Sequence, residues 1–170
     1  SVMSPVGMAG FRNMTALSSS GFSMPFDKNR DGFMMTEGSA TLVLEEMESA
    51  VNRGAKIYGE ILGSGSNADA HHITAPAPGG TGAARCMQLA LADAGLSAGD
   101  IRHVNAHGTS TPYNDAAEAQ AIFSTFGENG PPITSTKGVT GHGLGAAGAI
   151  EAAAVLLSIK HCLIPPTAGH

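Results

Sequence analysis

The chain has 170 residues, of which 42% are hydrophobic, which is enough for one domain with a hydrophobic core. Its formal net charge of −5, without any cluster of Lys and Arg, argues against a nucleic-acid or anionic-membrane partner. The two cysteines, Cys86 and Cys162, show neither a CxxC nor a metal-type spacing, so we expect free thiols in a reducing compartment. No basic-then-apolar leader and no apolar run of about 18 residues stands out, so we predict a cytoplasmic protein.

The first half of the chain predicts short elements joined by polar turns. Residues 27–32, DKNRDG, predict such a turn. Residues 39–45 form an apolar run and residues 56–62 alternate between apolar and polar side chains, so both segments are predicted strands. A short helix is predicted between them at 46–53. Residues 63–80 are rich in Gly, Ser, Asn, His and Pro, which predicts a loop long enough to have a function of its own.

Helices and strands alternate in the second half of the chain. Predicted helices cover 81–94, 115–126 and 145–160, and predicted strands cover 101–106, 132–135 and a segment that starts near Cys162. Asp115 and Glu118 are spaced as a capping box at the start of the second helix. This alternation predicts an α/β fold with a largely parallel sheet.

Two metal-type patterns are incomplete. The turn at 27–32 matches the first half of an EF-hand loop, but position 12 of that loop would be Gly38 instead of a bidentate Glu. His103 and His107 lie four residues apart, as zinc ligands can, but no third ligand follows at a standard spacing. We therefore predict no metal site from either pattern.

Residues 143–148, GLGAAG, fit the dinucleotide fingerprint G-x-G-x-x-G. A nucleotide site would need a strand that runs directly into the first glycine and a carboxylate about 20 residues later for the ribose. The predicted strand ends several residues too early, and residues 163–170 contain no carboxylate. We interpret these glycines as the start of a closely packed helix.

Two histidines stand in unusual local settings. His107 ends a predicted strand within VNAHGTSTP, and catalytic groups collect at strand ends in α/β sheets. Thr109 and Thr111 follow at alternate positions, so their hydroxyls would lie on one side. His142 stands between two glycines before a helix, where the helix field favours a neutral imidazole, and Lys137 lies five residues earlier.

This set of side chains predicts oxyanion or enolate chemistry. Two neutral imidazole N–H groups that converge on one oxygen would stabilise a developing enolate. The threonine hydroxyls could hold an arm that carries amides. Glu151, a polar residue in an otherwise apolar helix, needs a partner if it is buried, and Lys137 is the candidate. Each histidine by itself is also compatible with a purely structural role.

Two longer motifs give the chain a resemblance to a known family. VNAHGTSTP and STKGVTGHGLGAAGAIEA resemble the two histidine motifs of β-ketoacyl-[acyl-carrier-protein] synthases, the condensing enzymes of fatty-acid and polyketide synthesis. PFDKNRDGFMMTEGSATLVLEE and RGAKIYGEILGSGSNADAHHITAP are similar to the family's intervening segment. The resemblance covers essentially the whole chain and is greatest to the dissociated, type II elongation enzymes.

The resemblance implies a thiolase-like fold, in which two βαβαβ halves stack as α-β-α-β-α layers and the full-length protein is usually a homodimer. Residues 1–62 would end the N-terminal half, and residues 63–170 would form the C-terminal half without its terminal strand and Gly-rich loop, so we expect a partial chain. The implied partners are the acyl carrier protein and malonyl and acyl thioesters. No cofactor is expected, because the carrier protein brings the phosphopantetheine arm.

The resemblance also implies roles for individual residues. His107 and His142 match the two catalytic histidines, which bind the malonyl thioester carbonyl, promote loss of CO₂ and stabilise the carbanion. The other matched positions are Lys137 and Glu151 beside the active site, Thr109 and Thr111 at the phosphopantetheine arm, Asn105 with Glu151 at a structural cation of some members, and Asp69 and Thr74 in a loop that gates acyl entry.

The nucleophilic cysteine of the family has no counterpart in this sequence. In the family it lies upstream on a buried helix, whereas Cys86 falls inside a predicted helix and Cys162 follows the last one. We therefore expect no condensing activity from these 170 residues alone. Three alternatives stay open: a chain-length-factor-like partner subunit, a thiolase-like relative that acts on coenzyme A thioesters, and an inactive fragment.

Overall fold

Residues 3–169 of the chain are described by a computed structural model. The helices and strands are, in chain order, α1 (Pro5–Asn13), α2 (Met47–Asn52), α3 (Thr81–Ala94), β1 (Val104–Asn105), α4 (Pro112–Phe126), β2 (Ile133–Thr134), α5 (Lys137–Thr140) and α6 (Ala147–His161). Short 3₁₀ turns precede α3, β1 and α6. The alternation of helices and strands in the second half agrees with the predicted α/β class.

The sheet is parallel, as predicted, but short. Strands β1 and β2 pair in parallel, with Val104 opposite Ile133 and Asn105 opposite Thr134. Two isolated parallel bridges extend this layer into the first part of the chain, and they join Leu17 to Phe33 and Met35 to His142. The bridges matter for the site, because they bring residues 33–36 beside the second histidine motif.

Three predicted strands are wrong: residues 39–45, residues 56–62 and the segment after Cys162 have no regular secondary structure. Strands form when neighbouring strands satisfy their backbone groups. Among residues 3–169, no backbone hydrogen bond pairs 39–45 or 56–62 with another segment. Their apolar side chains consequently face solvent, with Val43 86% and Ile61 71% exposed.

The predicted helices are present, with one revised start. Helix α3 covers the predicted range 81–94, and α2 and α6 end within two residues of their predictions. Helix α4 begins at Pro112, three residues early, because the Thr111 side chain caps it and proline suits the first turn. The predicted capping box of Asp115 and Glu118 is therefore wrong, since both carboxylates bind the preceding loop instead.

One segment is more apolar than the sequence analysis predicts. Residues Leu144–His161 are long and apolar enough to cross a membrane by length and composition alone, with a mean hydropathy of 1.3. Our expectation that no such run exists is wrong on that measure, because the Ile, Leu, Val and Ala residues outweigh the few polar and charged residues of the segment. Glu151 lies in the middle of this segment and pairs with the buried Lys137, which places α6 against the histidine motifs.

Gly80 and Gly95 offer a matched pair of substitutions. Both have a left-handed backbone, with φ of +64° at Gly80 and +66° at Gly95. A β-carbon at Gly80 would lie 2.0 Å from the Ala117 carbonyl oxygen of α4, whereas one at Gly95 would meet nothing within 4 Å. We expect Gly95→Ala to lower the free energy of unfolding by about 1 kcal/mol, from backbone strain alone. Gly80→Ala should cost at least about twice as much, because α4 must also move; equal losses in urea titrations would contradict the close contact.

Candidate active site

His107 lies at the end of β1, in a loop held by a carboxylate from α4. Glu118 accepts hydrogen bonds from the backbone N–H of His107 at 2.7 Å and of Gly108 at 2.8 Å. Burial raises the pKa of Glu118, while these bonds act in the opposite direction. Glu118 is not among the predicted site residues, and its carboxylate fixes the backbone that carries His107.

His142 is positioned by the segment 33–36. Its backbone N–H donates to the Met34 carbonyl at 2.8 Å, and its own carbonyl accepts from the Thr36 N–H at 3.2 Å. Gly141, with φ of +65°, lets the two segments approach, because a β-carbon there would lie 2.3 Å from Thr36 Cγ2. His142 is buried in consequence.

The two histidine rings meet, as the sequence predicts. The ring centroids of His107 and His142 are 5.2 Å apart, with the rings edge to face at 84°. Phe33 packs against the other side of His142 at 4.8 Å and 66°. Phe33 is absent from the sequence prediction, although its place directly after a polar turn and before two methionines signals a buried position.

Hydrogen bonds assign the same tautomer to both rings. His142 Nδ1 accepts from the Leu144 backbone N–H at 3.1 Å, so its proton is on Nε2. Lys137 Nζ lies 3.3 Å from His107 Nδ1 and donates to the His107 carbonyl at 2.5 Å. An ammonium beside Nδ1 requires that this nitrogen accepts, which leaves the His107 proton on Nε2 as well. Both imidazoles thus keep an Nε2–H free of these bonds.

Electrostatics keep both rings neutral. Desolvation by the surrounding protein, followed by the charge of Lys137, lowers the pKa of His107 to about 4. Desolvation, followed by His107 and then Lys137, lowers the pKa of His142 to about 4 as well. At neutral pH the pair therefore presents two uncharged N–H donors, as predicted for His142 from its place before a helix.

Lys137 is a buried cation with a half-buried partner. Its side chain is 1% exposed, and its ammonium pairs with Glu151 of α6 while it contacts His107. The predicted Lys137–Glu151 pair is therefore present in the structure. The ammonium joins α5, α6 and the first histidine loop at one point.

Thr109 and Thr111 lie in the loop that follows His107. Their hydroxyls bond to each other at 2.9 Å, and Thr111 also accepts from the Asn114 N–H as the cap of α4. Thr109 is buried and Thr111 half-buried. To hold an amide arm, the two hydroxyls would exchange this mutual bond for bonds to the ligand.

Asp115 is a second α4 carboxylate that sequence reasoning missed as a site residue. It is 1% exposed and accepts from the backbone N–H groups of Ser110 and Phe26, while Arg30 Nε lies 3.8 Å away. Ser110 has a left-handed φ of +71°, which costs free energy that these bonds offset. Asp115 thereby ties the segment around Phe26 to the histidine loop.

Asn105 fits part of the implied structural cation site. Neither its amide oxygen nor its amide nitrogen has a hydrogen-bond partner, although both atoms are buried. An unpartnered buried amide oxygen suits a hard cation. Glu151, the other implied ligand, is committed to Lys137. Among residues 3–169 no three His, Cys, Asp or Glu side chains form a metal-binding group. The structural cation implied by the resemblance stays a prediction.

The structure does not bring Asp69 and Thr74 to the histidine pair. Asp69 accepts from the Ala77 N–H at 2.8 Å, and the Thr74 N–H donates to the side chain of His72. No described hydrogen bond or ring contact joins either residue to His107 or His142. Their place in a gate stays a prediction.

The cysteines also lie apart from the pair. Cys86 Sγ donates to the Gly65 carbonyl at 3.0 Å from within α3, and Cys162 is exposed at the end of α6. His103, the rejected zinc ligand, instead shares a 2.8 Å hydrogen bond with the Thr134 hydroxyl. In the part of the chain that the structure covers, no thiol contacts the imidazoles.

The neutral histidine pair predicts a specific pH dependence of stability. Both rings have a folded pKa of about 4, below the unfolded value of about 6.5. The unfolded chain therefore binds more protons between these values, so the pair's contribution to the free energy of unfolding is complete above about pH 6.5 and is lost as the pH falls through about 4. The slope of the free energy of unfolding against pH gives the number of protons taken up on unfolding. Urea titrations across this range should show that the double variant His107→Asn with His142→Asn takes up fewer protons than the unmodified chain, by up to about two. The exposed His161→Asn is the control, and an unchanged slope in the double variant would contradict the assignment.

The sequence of the chain is similar to that of known proteins over nearly its whole length. The family described as Beta-ketoacyl synthase, C-terminal domain, matches residues 58–170, and Beta-ketoacyl synthase, N-terminal domain, matches residues 1–50. The chain is 49% identical over 172 residues to 3-oxoacyl-[acyl-carrier-protein] synthase 2 of Synechocystis, covering 97% of this chain and 41% of that protein. The curated relatives are thus more than twice as long as this chain.

Solved structures agree with this match. A beta-ketoacyl synthase from Burkholderia phymatum superposes with a TM-score of 0.95 and 46% identity, over 99% of this chain and 42% of that one. A ketosynthase in complex with its type II PKS acyl-carrier protein superposes with a TM-score of 0.89 and 40% identity, over 93% of this chain and 41% of that one. The fold is therefore part of the thiolase-like α/β fold of ketosynthases. The chain belongs to the β-ketoacyl synthase family.

Proposed function

We propose that this chain supplies the histidine half of an active site that joins an acyl thioester to malonyl-[acyl-carrier protein] with loss of CO₂. The observation that carries the proposal is the pair of neutral Nε2–H donors on rings 5.2 Å apart. Support comes from the curated relatives, which are named 3-oxoacyl-[acyl-carrier-protein] synthase 2. The activity belongs to fatty-acid or polyketide chain elongation.

The geometry suits the decarboxylation step. The thioester carbonyl oxygen of a malonyl group would accept hydrogen bonds from both Nε2–H groups. As the bond between the α-carbon and the carboxylate breaks, CO₂ leaves and the electron pair moves onto that oxygen, where two fixed donors stabilise the enolate. The enolate carbon then attacks the acyl thioester carbonyl, the C–S bond of that thioester breaks, and the thiolate leaves as the new C–C bond forms. Neutral imidazoles suit this step, because each N–H can donate a hydrogen bond to the developing anion and still keep its proton.

Lys137 and the threonines have supporting roles in this proposal. Lys137 holds His107 in the Nδ1-acceptor tautomer and is itself fixed by Glu151. Thr109 and Thr111 would bind the amides of the phosphopantetheine arm, which the carrier protein brings. The carrier protein is accordingly the proposed partner, as it is in the ketosynthase complex described above. A cytoplasmic, homodimeric full-length form completes the proposal.

A second candidate is a chain-length-factor-like partner subunit, since a ketosynthase/chain length factor structure is among the solved structures to which this chain is similar. The intact pair, its Lys137 contact and its matching tautomers count against that role. A thiol nucleophile is needed to form the acyl-enzyme, and neither Cys86 nor Cys162 contacts the pair. We therefore still expect no condensation from the chain alone.

A chimera tests the function directly. Residues 1–170 of this chain would replace the matching segment of the Synechocystis relative, and condensation of acyl and malonyl carrier-protein thioesters would be measured. We expect the chimera to form the β-ketoacyl product, because the two histidine motifs sit in the same fold. A folded chimera that binds carrier protein but neither condenses nor releases CO₂ would favour the non-catalytic partner.

A further inference from the structure

His72 has an unusual role in the loop at 69–77. Its Nδ1 accepts hydrogen bonds from two backbone N–H groups, those of Thr74 and Ala75, each at 3.1 Å. The side chain itself is exposed. Only an unprotonated Nδ1 can accept these bonds, so the ring is neutral with its proton on Nε2. Two backbone amides of an exposed turn thus depend on one titratable nitrogen.

The same loop contains a residue with a strained backbone. Ala70 has a left-handed φ of +50°, which is unfavourable for a residue with a β-carbon. Asp69 closes the base of the loop, with one carboxylate oxygen on the Ala77 N–H and the other packed against Gly82 at the start of α3. At the tip, Ile73 is 93% exposed. Asp69 and His72 therefore bracket a strained segment with an unburied apolar tip.

We propose that His72 is a proton-sensitive latch for residues 69–77. Protonation places a hydrogen on Nδ1, so both acceptor bonds are lost and a cation then faces two N–H donors. The turn at 72–75 opens, and Ala70 is free to leave its strained conformation. Asp69 keeps the base of the loop in place, so the change is confined to the tip.

The other charged and titratable groups that the structure describes near the loop have no ion pair with His72. Within the loop, the titratable neighbours are Asp69 and His71. On α3, Arg85 and Asp93 are the charged groups, and Asp93 accepts from the Ser64 N–H. On α4, which Gly80 contacts at Ala117, Asp115 and Glu118 are committed to the histidine loop. Among residues 3–169 no ion pair joins His72 to any of these groups.

Amide hydrogen exchange measured by NMR tests the latch on the chain itself. The protection factors of Thr74 and Ala75, corrected for the intrinsic effect of pH, would be compared between about pH 8 and about pH 5, across the range where histidine titrates. We expect protection to fall about tenfold at the lower pH, from the loss of two hydrogen bonds. The ¹⁵N chemical shift of His72 Nδ1 should change from the unprotonated to the protonated type over the same range.

Three variants separate the latch from a general effect of acid. His72→Ala should lack the protection at both pH values. His72→Asn keeps a side-chain oxygen that accepts from the following amides and does not titrate, so its protection should persist at low pH. His71→Ala, at the neighbouring exposed histidine, should behave as the unmodified chain. The proposal is overturned if protection at Thr74 and Ala75 is the same in His72→Ala, or if it still falls with pH in His72→Asn.

A link between this latch and access to the active site would rest on the proposed function. The exchange experiment needs no condensing activity, so the latch and the proposed function can fail separately. If both hold, acid should speed acyl entry in the chimera, because the turn opens, and His72→Asn should remove that part of its pH profile.

Discussion

Replacing Lys137 by methionine is expected to lower the free energy of unfolding by about 3–5 kcal/mol, the usual range for breaking a buried ion pair. Lys137 is 1% exposed, and the change would leave Glu151 as a half-buried carboxylate without its partner. The His107 carbonyl would also lose its ammonium donor. Urea titration of the variant measures the loss.

Two comparisons separate the ion pair from the lost packing. Lys137→Met combined with Glu151→Gln should recover part of the stability, because no unpaired charge is then buried. The exposed pair of Arg53 and Glu45 is the control, since solvent screens it, and Arg53→Met should change stability little. If Lys137→Met and Arg53→Met destabilise equally, the ammonium does not hold α5, α6 and the histidine loop together.

Removing either imidazole is expected to reduce condensation by the chimera about 10²- to 10³-fold, the usual cost of losing one oxyanion donor. The variants are His107→Ala and His142→Ala, measured as kcat/KM for the malonyl thioester. Removing both should cost little more than removing one, because the two donors act on the same oxygen. The release of CO₂ should fall together with condensation.

A conservative variant and a surface histidine complete this test. His142→Gln places an amide N–H near the position of Nε2, so it should retain more activity than His142→Ala. His161→Ala, at the exposed end of α6, should leave the rate unchanged. If both alanine variants retain full decarboxylation, the histidine pair is not the enolate site.

The geometry of the histidine pair could be predicted in part. The local settings of His107 and His142 indicate two neutral donors, and the resemblance indicates that they act together. Their tautomers follow from Lys137 and from the Leu144 backbone N–H, and those contacts exist only in the folded chain. A motif marks which residues carry the chemistry, while the proton positions depend on neighbours from other elements.

The residues that position the pair could not be predicted. Glu118 and Asp115 have the spacing of a capping box, and local sequence gives no reason to assign them to the loop before α4. Phe33 lies more than 100 residues before His142 in sequence, yet their rings are 4.8 Å apart because a parallel bridge joins Met35 to His142. Such contacts between distant segments leave no periodic pattern in the sequence.

The sequence by itself determined the α/β class, the range of α3 and the two histidine motifs, because apolar periodicity, glycine caps and short motifs are local signals. Only the tertiary structure decided that 39–45 and 56–62 are not strands, that Asp115 and Glu118 bind backbone N–H groups of other segments, and that His72 closes a strained loop. A strand needs a partner, and a buried carboxylate or ring needs a particular set of donors. Both requirements are met, or left unmet, by segments that are far apart in the chain.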